Sequence, residues 1–461
     1  MHRKNSLGTV LLVIAAWTWS TGLLGIESER IPTTPSSQPF FAAPVDLGAY
    51  GFTEEEFIVR GSTNVYEYGP LGKVRVQTAD VPYESRILVR RPRRGHFNGV
   101  VLLELLNPTA GHDIDFEWHY NREMLLRQGY AWVGATIKDV AIDYLRNWDP
   151  DRYSTLHMVD NGLAYGFTTQ LGALLRDLGN PDNPLARYPV EVLIGTGYSQ
   201  TADYLTTFAN EFHETSLLPD GRHTFDGYLN AGGNGAARGI NSSDPIRYFD
   251  ERRYRRVDAP LIQVQSESEV AIFFYSSVNT RQPDSETFRL YEIAGGSHAD
   301  GEGLRRTGEV VSRDIGGPVL PPCGEPLSPL SIGPVHRASL TNLVRWIRYG
   351  VAPPPGRWLE TDAAGNVIRD ENGNVRGGLR VPTLEVPLGT YEPGNLGPLP
   401  CPVAGAHFRF DEETLDELYP THRSYVRQVT RSAFRSALRG DLRWDDALRY
   451  ALEAARSDVG R

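Results

Sequence analysis

The spacing of apolar positions changes partway along the chain. Between residues 55 and 92 the apolar clusters are short: Phe57-Ile58-Val59, Val74-Arg75-Val76 and Ile87-Leu88-Val89, with Gly and Pro between them. That pattern predicts antiparallel strands at the entry to a sheet. From residue 100 onward, near-continuous apolar runs at 100–106, 131–137, 190–194, 261–264 and 288–293, with a weaker one at 225–229, alternate with amphipathic stretches at 115–128, 163–178, 199–212 and 337–349. Strands that are apolar on both faces belong to a parallel sheet covered on both sides, and the intervening stretches are its crossover helices. The expectation is an α/β fold: a doubly wound, mostly parallel sheet with antiparallel N-terminal strands. In such a sheet ligands sit beyond the carboxyl ends of the strands, so functional residues should follow the apolar runs.

The flanking regions read differently. A basic start (His2, Arg3, Lys4) precedes an apolar stretch at 7–26, which predicts a signal peptide or a membrane anchor over 1–26. No clean Ala-x-Ala site follows, so removal and retention both stay open. The protein is expected to be secreted or periplasmic, or else anchored and facing outward. Residues 27–50, rich in Pro, Ser and Thr, read as a linker, 51–410 as the main domain with a cap-like segment at 241–256, and 411–461 as a C-terminal helical extension. Pro420 and Gly440 punctuate the helices of that extension. The stretch Asp370-Glu371-Asn372-Gly373-Asn374 is faintly similar to a calcium loop, but Val375 stands where such a loop requires glycine, and a hairpin turn is the expectation.

Composition narrows the partners. With 47 Lys+Arg against 57 Asp+Glu, the 461-residue chain carries a formal charge of −10 and has no basic run, which argues against a nucleic-acid partner. The membrane is a partner only if the N-terminal segment is retained. The two cysteines, Cys323 and Cys401, predict one disulfide in an exported chain. It would close a 78-residue loop, worth at most about 4.5 kcal/mol of chain entropy. No His, Cys and carboxylate residues recur at ligand spacing, so neither a metal nor an organic cofactor is expected.

The chemistry concentrates where runs end. Residues 190–202 read Val-Glu-Val-Leu-Ile-Gly-Thr-Gly-Tyr-Ser-Gln-Thr-Ala, a buried strand entering a sharp turn and then a helix. Ser199 lies two residues after Gly197 and two before Thr201, the spacing of a nucleophile elbow, although Thr201 is larger than the usual glycine. The following helix would point its amino end at the serine and favour an oxyanion there. A serine nucleophile needs a base, and the base an orienting carboxylate. Glu267 and Glu269 follow the 261–264 run and His298 follows the 288–293 run, which gives the chain order serine, acid, histidine. Glu269, farther past the strand end, is the preferred acid and Glu267 the alternative. The backbone N–H of Gln200 is one expected oxyanion donor. The second should come from the loop after 100–106, where Pro108 has no N–H and the candidates are Leu106 and Asn107. His112 in that loop suits substrate contact better than base catalysis.

These residues resemble the α/β-hydrolase superfamily, and more closely a group of exported bacterial proteins called the alpha/beta hydrolase domain family. Glu104-Leu105-Leu106-Asn107 is similar to its Glu-Trp-Leu-Asn segment, 197–201 to its Gly-x-Ser-Gln-Ser elbow, and 295–300 to its Gly-x-x-His-Ala-Asp loop. Residues 346–354 are similar to its Trp-x-x-x-Gly-x-x-Pro-Pro segment, and 377–382 to its Gly-Gly-x-Arg-x-Pro segment. The departures are Leu105 for Trp, Thr201 for Ser and Glu269 where Asp is commoner. The resemblance implies a serine hydrolase. The function expected is cleavage of small-molecule carboxylic esters through an acyl-enzyme. An acyltransferase on the same residues and a non-catalytic binding protein of the same fold are the alternatives. Candidate pocket walls are 241–256 and the loop after Trp148 that holds Tyr153. The sequence does not specify an oligomeric state.

Overall fold

The computed structural model describes residues 25–233, 236–248, 254, 257–273 and 276–461. The expected signal peptide or anchor lies almost wholly outside the described residues. Among the described residues no helix is long and apolar enough to cross a membrane.

The antiparallel entry comprises β1 (Glu27–Ile31), β2 (Phe52–Tyr68) and β3 (Val74–Pro92). The apolar runs become β4 (Val100–Leu105), β5 (Ala131–Ala135), β6 (Val192–Tyr198), β7 (Gly227–Ala231), β8 (Leu261–Ser266) and β9 (Phe288–Ile293). All nine form one sheet in the order β1-β2-β3-β5-β4-β6-β7-β8-β9. Pairing is antiparallel from β1 through β3 to β5 and parallel from β5 to β9.

Alternation along β4 explains why the sheet has two cores. Val101, Leu103 and Leu105 face a cluster that includes Leu171, Leu205 and Phe208. Val100 and Leu102 face the opposite cluster, with Trp118, Leu125, Leu340 and Leu343. Helices Leu163–Arg176 and Gln200–Glu211 therefore cover one face, and Phe116–Gln128 and Gly333–Tyr349 cover the other. This is the expected doubly wound arrangement.

Two sequence expectations need correction here. Residues 27–50 are not a free linker: β1 pairs with β2, and Phe40 and Phe41 are buried. The cause is a pair of buried guanidiniums. Arg86 Nη1 donates to the Phe40 carbonyl at 2.9 Å and Arg90 Nη2 to the Phe41 carbonyl at 2.8 Å. Buried cations need acceptors on every side, and this segment supplies two of them. Tyr153, expected on a pocket wall, is fully buried in the same region, donating to Glu56 at 2.7 Å and accepting from the Phe40 N–H at 3.0 Å.

The segment around Asn372-Gly373 is a turn, with Asp370 N–H donating to the Asn374 carbonyl at 2.8 Å and Gly373 at φ 75°. Of the cap-like segment 241–256, residues 249–253, 255 and 256 lie outside the described residues. At the C-terminus, helices Glu412–Leu418, His422–Arg439 and Trp444–Arg456 pack on the body. A buried pair of Arg337 and Asp446 at 2.7 Å ties the last helix to the helix over Gly333–Tyr349. Cys323 and Cys401 are joined, with their Cα atoms 5.4 Å apart.

Candidate active site

The strand-to-helix junction after β6 forces Ser199 to φ 57° and ψ −118°. Positive φ is costly for a residue with a Cβ and persists only when neighbours fix it. Here the Ser199 N–H donates to the Ala231 carbonyl of β7 at 2.9 Å. The Asn107 amide Nδ2 donates to the Tyr198 carbonyl at 2.7 Å. Gly197 has no alternative residue, because a Cβ there would meet the Thr201 carbonyl oxygen at 2.6 Å and its carbon at 2.7 Å. The departure at Thr201 also has a use: its hydroxyl accepts from the Tyr198 N–H and donates to the Tyr198 carbonyl, both at 3.1 Å, clamping the turn across itself. Ser199 is the N-cap of the helix Gln200–Glu211, so the positive end of the helix dipole lies at the serine.

His298 stands in the loop after β9, and Glu269 in the single-turn helix Glu267–Ala271 after β8. The two meet, with His298 Nδ1 2.5 Å from Glu269 Oε1. Glu269 is fully buried and His298 nearly so. Glu269 aims this way because Ser266 and Glu269 form a capping box, in which the second carboxylate oxygen accepts from the Ser266 N–H. The histidine loop is held from below. The His298 N–H donates to Ser268 Oγ at 2.9 Å, Ser268 Oγ donates to the Pro393 carbonyl at 2.8 Å, and Tyr198 Oη donates to the His298 carbonyl at 2.5 Å. Burial, with Glu269, Asp300 and Glu117 nearby, pushes the Tyr198 phenol well above its ordinary value, so it remains a donor. The rings of Tyr198 and Phe273 flank the imidazole at 5.2 and 4.9 Å.

Glu267 has another role. Its Oε2 accepts from the Gly295 N–H at 3.0 Å and its Oε1 from Arg369 at 2.8 Å, so it anchors the start of the histidine loop and does not contact the ring. Burial raises its carboxyl from 4.5 to about 7, against the pull of Arg369.

The expected second oxyanion donor is corrected. The Leu106 N–H donates to the Ala135 carbonyl at 3.0 Å, and the Asn107 N–H to the Ile114 carbonyl at 2.9 Å. The pairing of β4 with β5 extends one bond past the strand's end, and a bridge to Ile114 follows it, so both N–H groups are already engaged. Asn107 contributes through its side chain instead, bracing Tyr198. His112 sits among Phe40, Phe41 and Tyr144, with ring centroids 5.4 to 5.9 Å away. Burial lowers its affinity for a proton, and it packs as part of that aromatic group. Two of these supports, Ser268 and the Tyr198 hydroxyl, have no local signature in the sequence. Only the Ser-x-x-Glu spacing of Ser266 and Glu269 carried a readable signal.

A strained serine at a helix N-terminus, with a paired histidine and carboxylate on later loops of a doubly wound sheet, defines the α/β-hydrolase class. The chain matches the family described as Alpha/beta hydrolase domain over residues 27–451, and it belongs to that family. No curated protein sequence matches it. Among solved structures it is similar to an α/β serine hydrolase homologue from Coxiella burnetii, at 13% identity and TM-score 0.30, covering 54% of this chain and 96% of that one. It is also similar to an α/β serine hydrolase without a lid from Xanthomonas campestris, at 12% identity and TM-score 0.30, covering 55% and 94%. A glucuronoyl esterase from Teredinibacter turnerae matches at 12% identity and TM-score 0.29, covering 70% and 79%.

Proposed function

We propose that this protein is an exported serine hydrolase of small-molecule carboxylic esters. Ser199 Oγ attacks the ester carbonyl while His298 Nε2 takes its proton. Glu269, on the opposite ring nitrogen, fixes the tautomer and stabilises the imidazolium that forms. The Gln200 N–H at the helix terminus receives the oxyanion. His298 then returns the proton to the leaving alcohol, and water repeats the sequence on the acyl-enzyme. The observation that carries this reading is the 2.5 Å contact between His298 and Glu269, together with a serine held at φ 57°. Export is supported by the apolar segment at 7–26 and by the joined cysteines.

The test is hydrolysis of a p-nitrophenyl ester series, from acetyl to long acyl chains, by the mature protein and by Ser199→Ala. Turnover that disappears in the variant is the expected result, and the chain length giving the highest rate sizes the pocket. Equal turnover by the two proteins would refute the assignment.

A further inference from the structure

Helix Gln200–Glu211 has Ser199 at one end and a different group of side chains at the other. His213 follows the helix, His223 lies shortly before β7, and Asp258 shortly before β8. The 12-residue helix, at about 1.5 Å per residue, puts roughly 18 Å between this group and the serine. The group therefore lies at the amino ends of the interior strands β7 and β8, opposite the catalytic loops at their carboxyl ends.

Both imidazoles present Nε2 to one carboxylate. His213 Nε2 is 2.8 Å from Asp258 Oδ1, and His223 Nε2 is 3.4 Å from Asp258 Oδ2. The rings lie 4.2 Å apart and 21° from parallel, so their Nε2 edges share a side. One ligand atom from each of the three residues falls within 4.8 Å of the others. Ligands about 2.1 Å from a shared tetrahedral ion stand roughly 3.4 Å apart, so a small splay of the two rings suffices.

The other ring nitrogens are held as metal-bound imidazoles usually are. His223 Nδ1 is 3.0 Å from the His213 carbonyl, and His213 Nδ1 is 2.8 Å from the Tyr228 hydroxyl. A carbonyl only accepts, so the His223 proton sits on Nδ1. His223 Nε2 is left facing the Asp258 carboxylate, a position from which it can bind a cation held between the two.

We propose that His213, His223 and Asp258 bind one divalent transition metal of the zinc type, with water completing the shell. Two imidazoles and a carboxylate suit zinc better than calcium or magnesium, which take oxygen ligands. The ion ties the end of the nucleophile-bearing helix to the loops that lead into β7 and β8. This site does not depend on the role assigned to Ser199.

The test uses the full mature chain with any affinity tag removed. The protein is stripped with EDTA, exposed to zinc sulfate, desalted and assayed for zinc by mass spectrometry, alongside thermal unfolding with and without zinc. His223 is partly exposed and Asp258 largely so, which lets His223→Gln and Asp258→Asn fold. The expected result is one zinc per chain in the wild type and in Ser199→Ala, a retention about tenfold lower in both site variants, and a zinc-dependent rise in Tm confined to proteins with the intact site. Wild-type protein that retains no zinc, or variants that retain as much as the wild type, would overturn the proposal.

Discussion

Replacing Glu269 by Gln is a sharp perturbation because the structure dictates how the amide must sit. One carboxylate oxygen of Glu269 accepts the Ser266 N–H and the other faces His298 Nδ1 at 2.5 Å. In Glu269→Gln the amide carbonyl stays with Ser266, because the reverse orientation opposes two donors at a buried position and costs about 1–3 kcal/mol. The NH2 then donates to His298 Nδ1, the ring proton moves to Nε2, and the nitrogen that should deprotonate Ser199 no longer can. A carboxylate-to-amide change of this kind costs about 10⁴ in kcat, or ~5.4 kcal/mol of transition-state stabilisation. The fold should remain, since the volume and the capping bond are kept. The assay is kcat and KM on the best p-nitrophenyl ester, with thermal unfolding as control and Glu267→Gln in parallel. The Glu267 variant should keep activity within about tenfold, because Arg369 can shift to Glu392 at 3.2 Å and the Gly295 bond survives. Retention of more than about a tenth of kcat in Glu269→Gln, or abolition in Glu267→Gln instead, would refute this assignment of the two acids.

Further predictions rest on other contacts. Glu267 titrates near pH 7 when folded, against an ordinary 4.5, so the folded state holds a proton that the unfolded state has released. Its contribution is therefore greatest below pH 4.5 and is lost as pH rises through 7, by about 3 kcal/mol. Denaturant titrations across that range should show a flatter pH dependence in Glu267→Gln than in the wild type. Gly197→Ala drives a Cβ into the Thr201 backbone at 2.6 Å and should cost about 1–3 kcal/mol in stability and most of the turnover. Cys323→Ser opens a 78-residue loop and should lower unfolding free energy by up to about 4 kcal/mol while leaving kcat near wild type, as read by unfolding and kinetics under oxidising conditions.

The sheet was legible because its buried strands are apolar on both faces, so the runs at 100–106, 131–137 and 288–293 needed no partner information. The boundaries were harder to read. The 190–194 run extends to Tyr198 through Gly195, Thr196 and Gly197, since Tyr228 and Phe225 fill the space over Gly195 and the elbow fills that over Gly197. Residues 27–50 look like a linker because what binds them, Arg86 and Arg90, lies 46 and 49 positions along the chain from Phe40 and Phe41. The Leu106 N–H reads as available in the sequence because a strand's last hydrogen bond depends on its neighbour's length. The His213, His223 and Asp258 group was invisible for the same reason: three separate loops bring it together, and no local spacing encodes it.

Fluorophosphonate labelling read by intact mass tests whether Ser199 is an activated nucleophile, without knowledge of the substrate. A single adduct is expected on the wild type, none on Ser199→Ala, and much slower labelling on Glu269→Gln. A wild-type protein that stays unlabelled, or a Ser199→Ala variant labelled at the same rate, would contradict it.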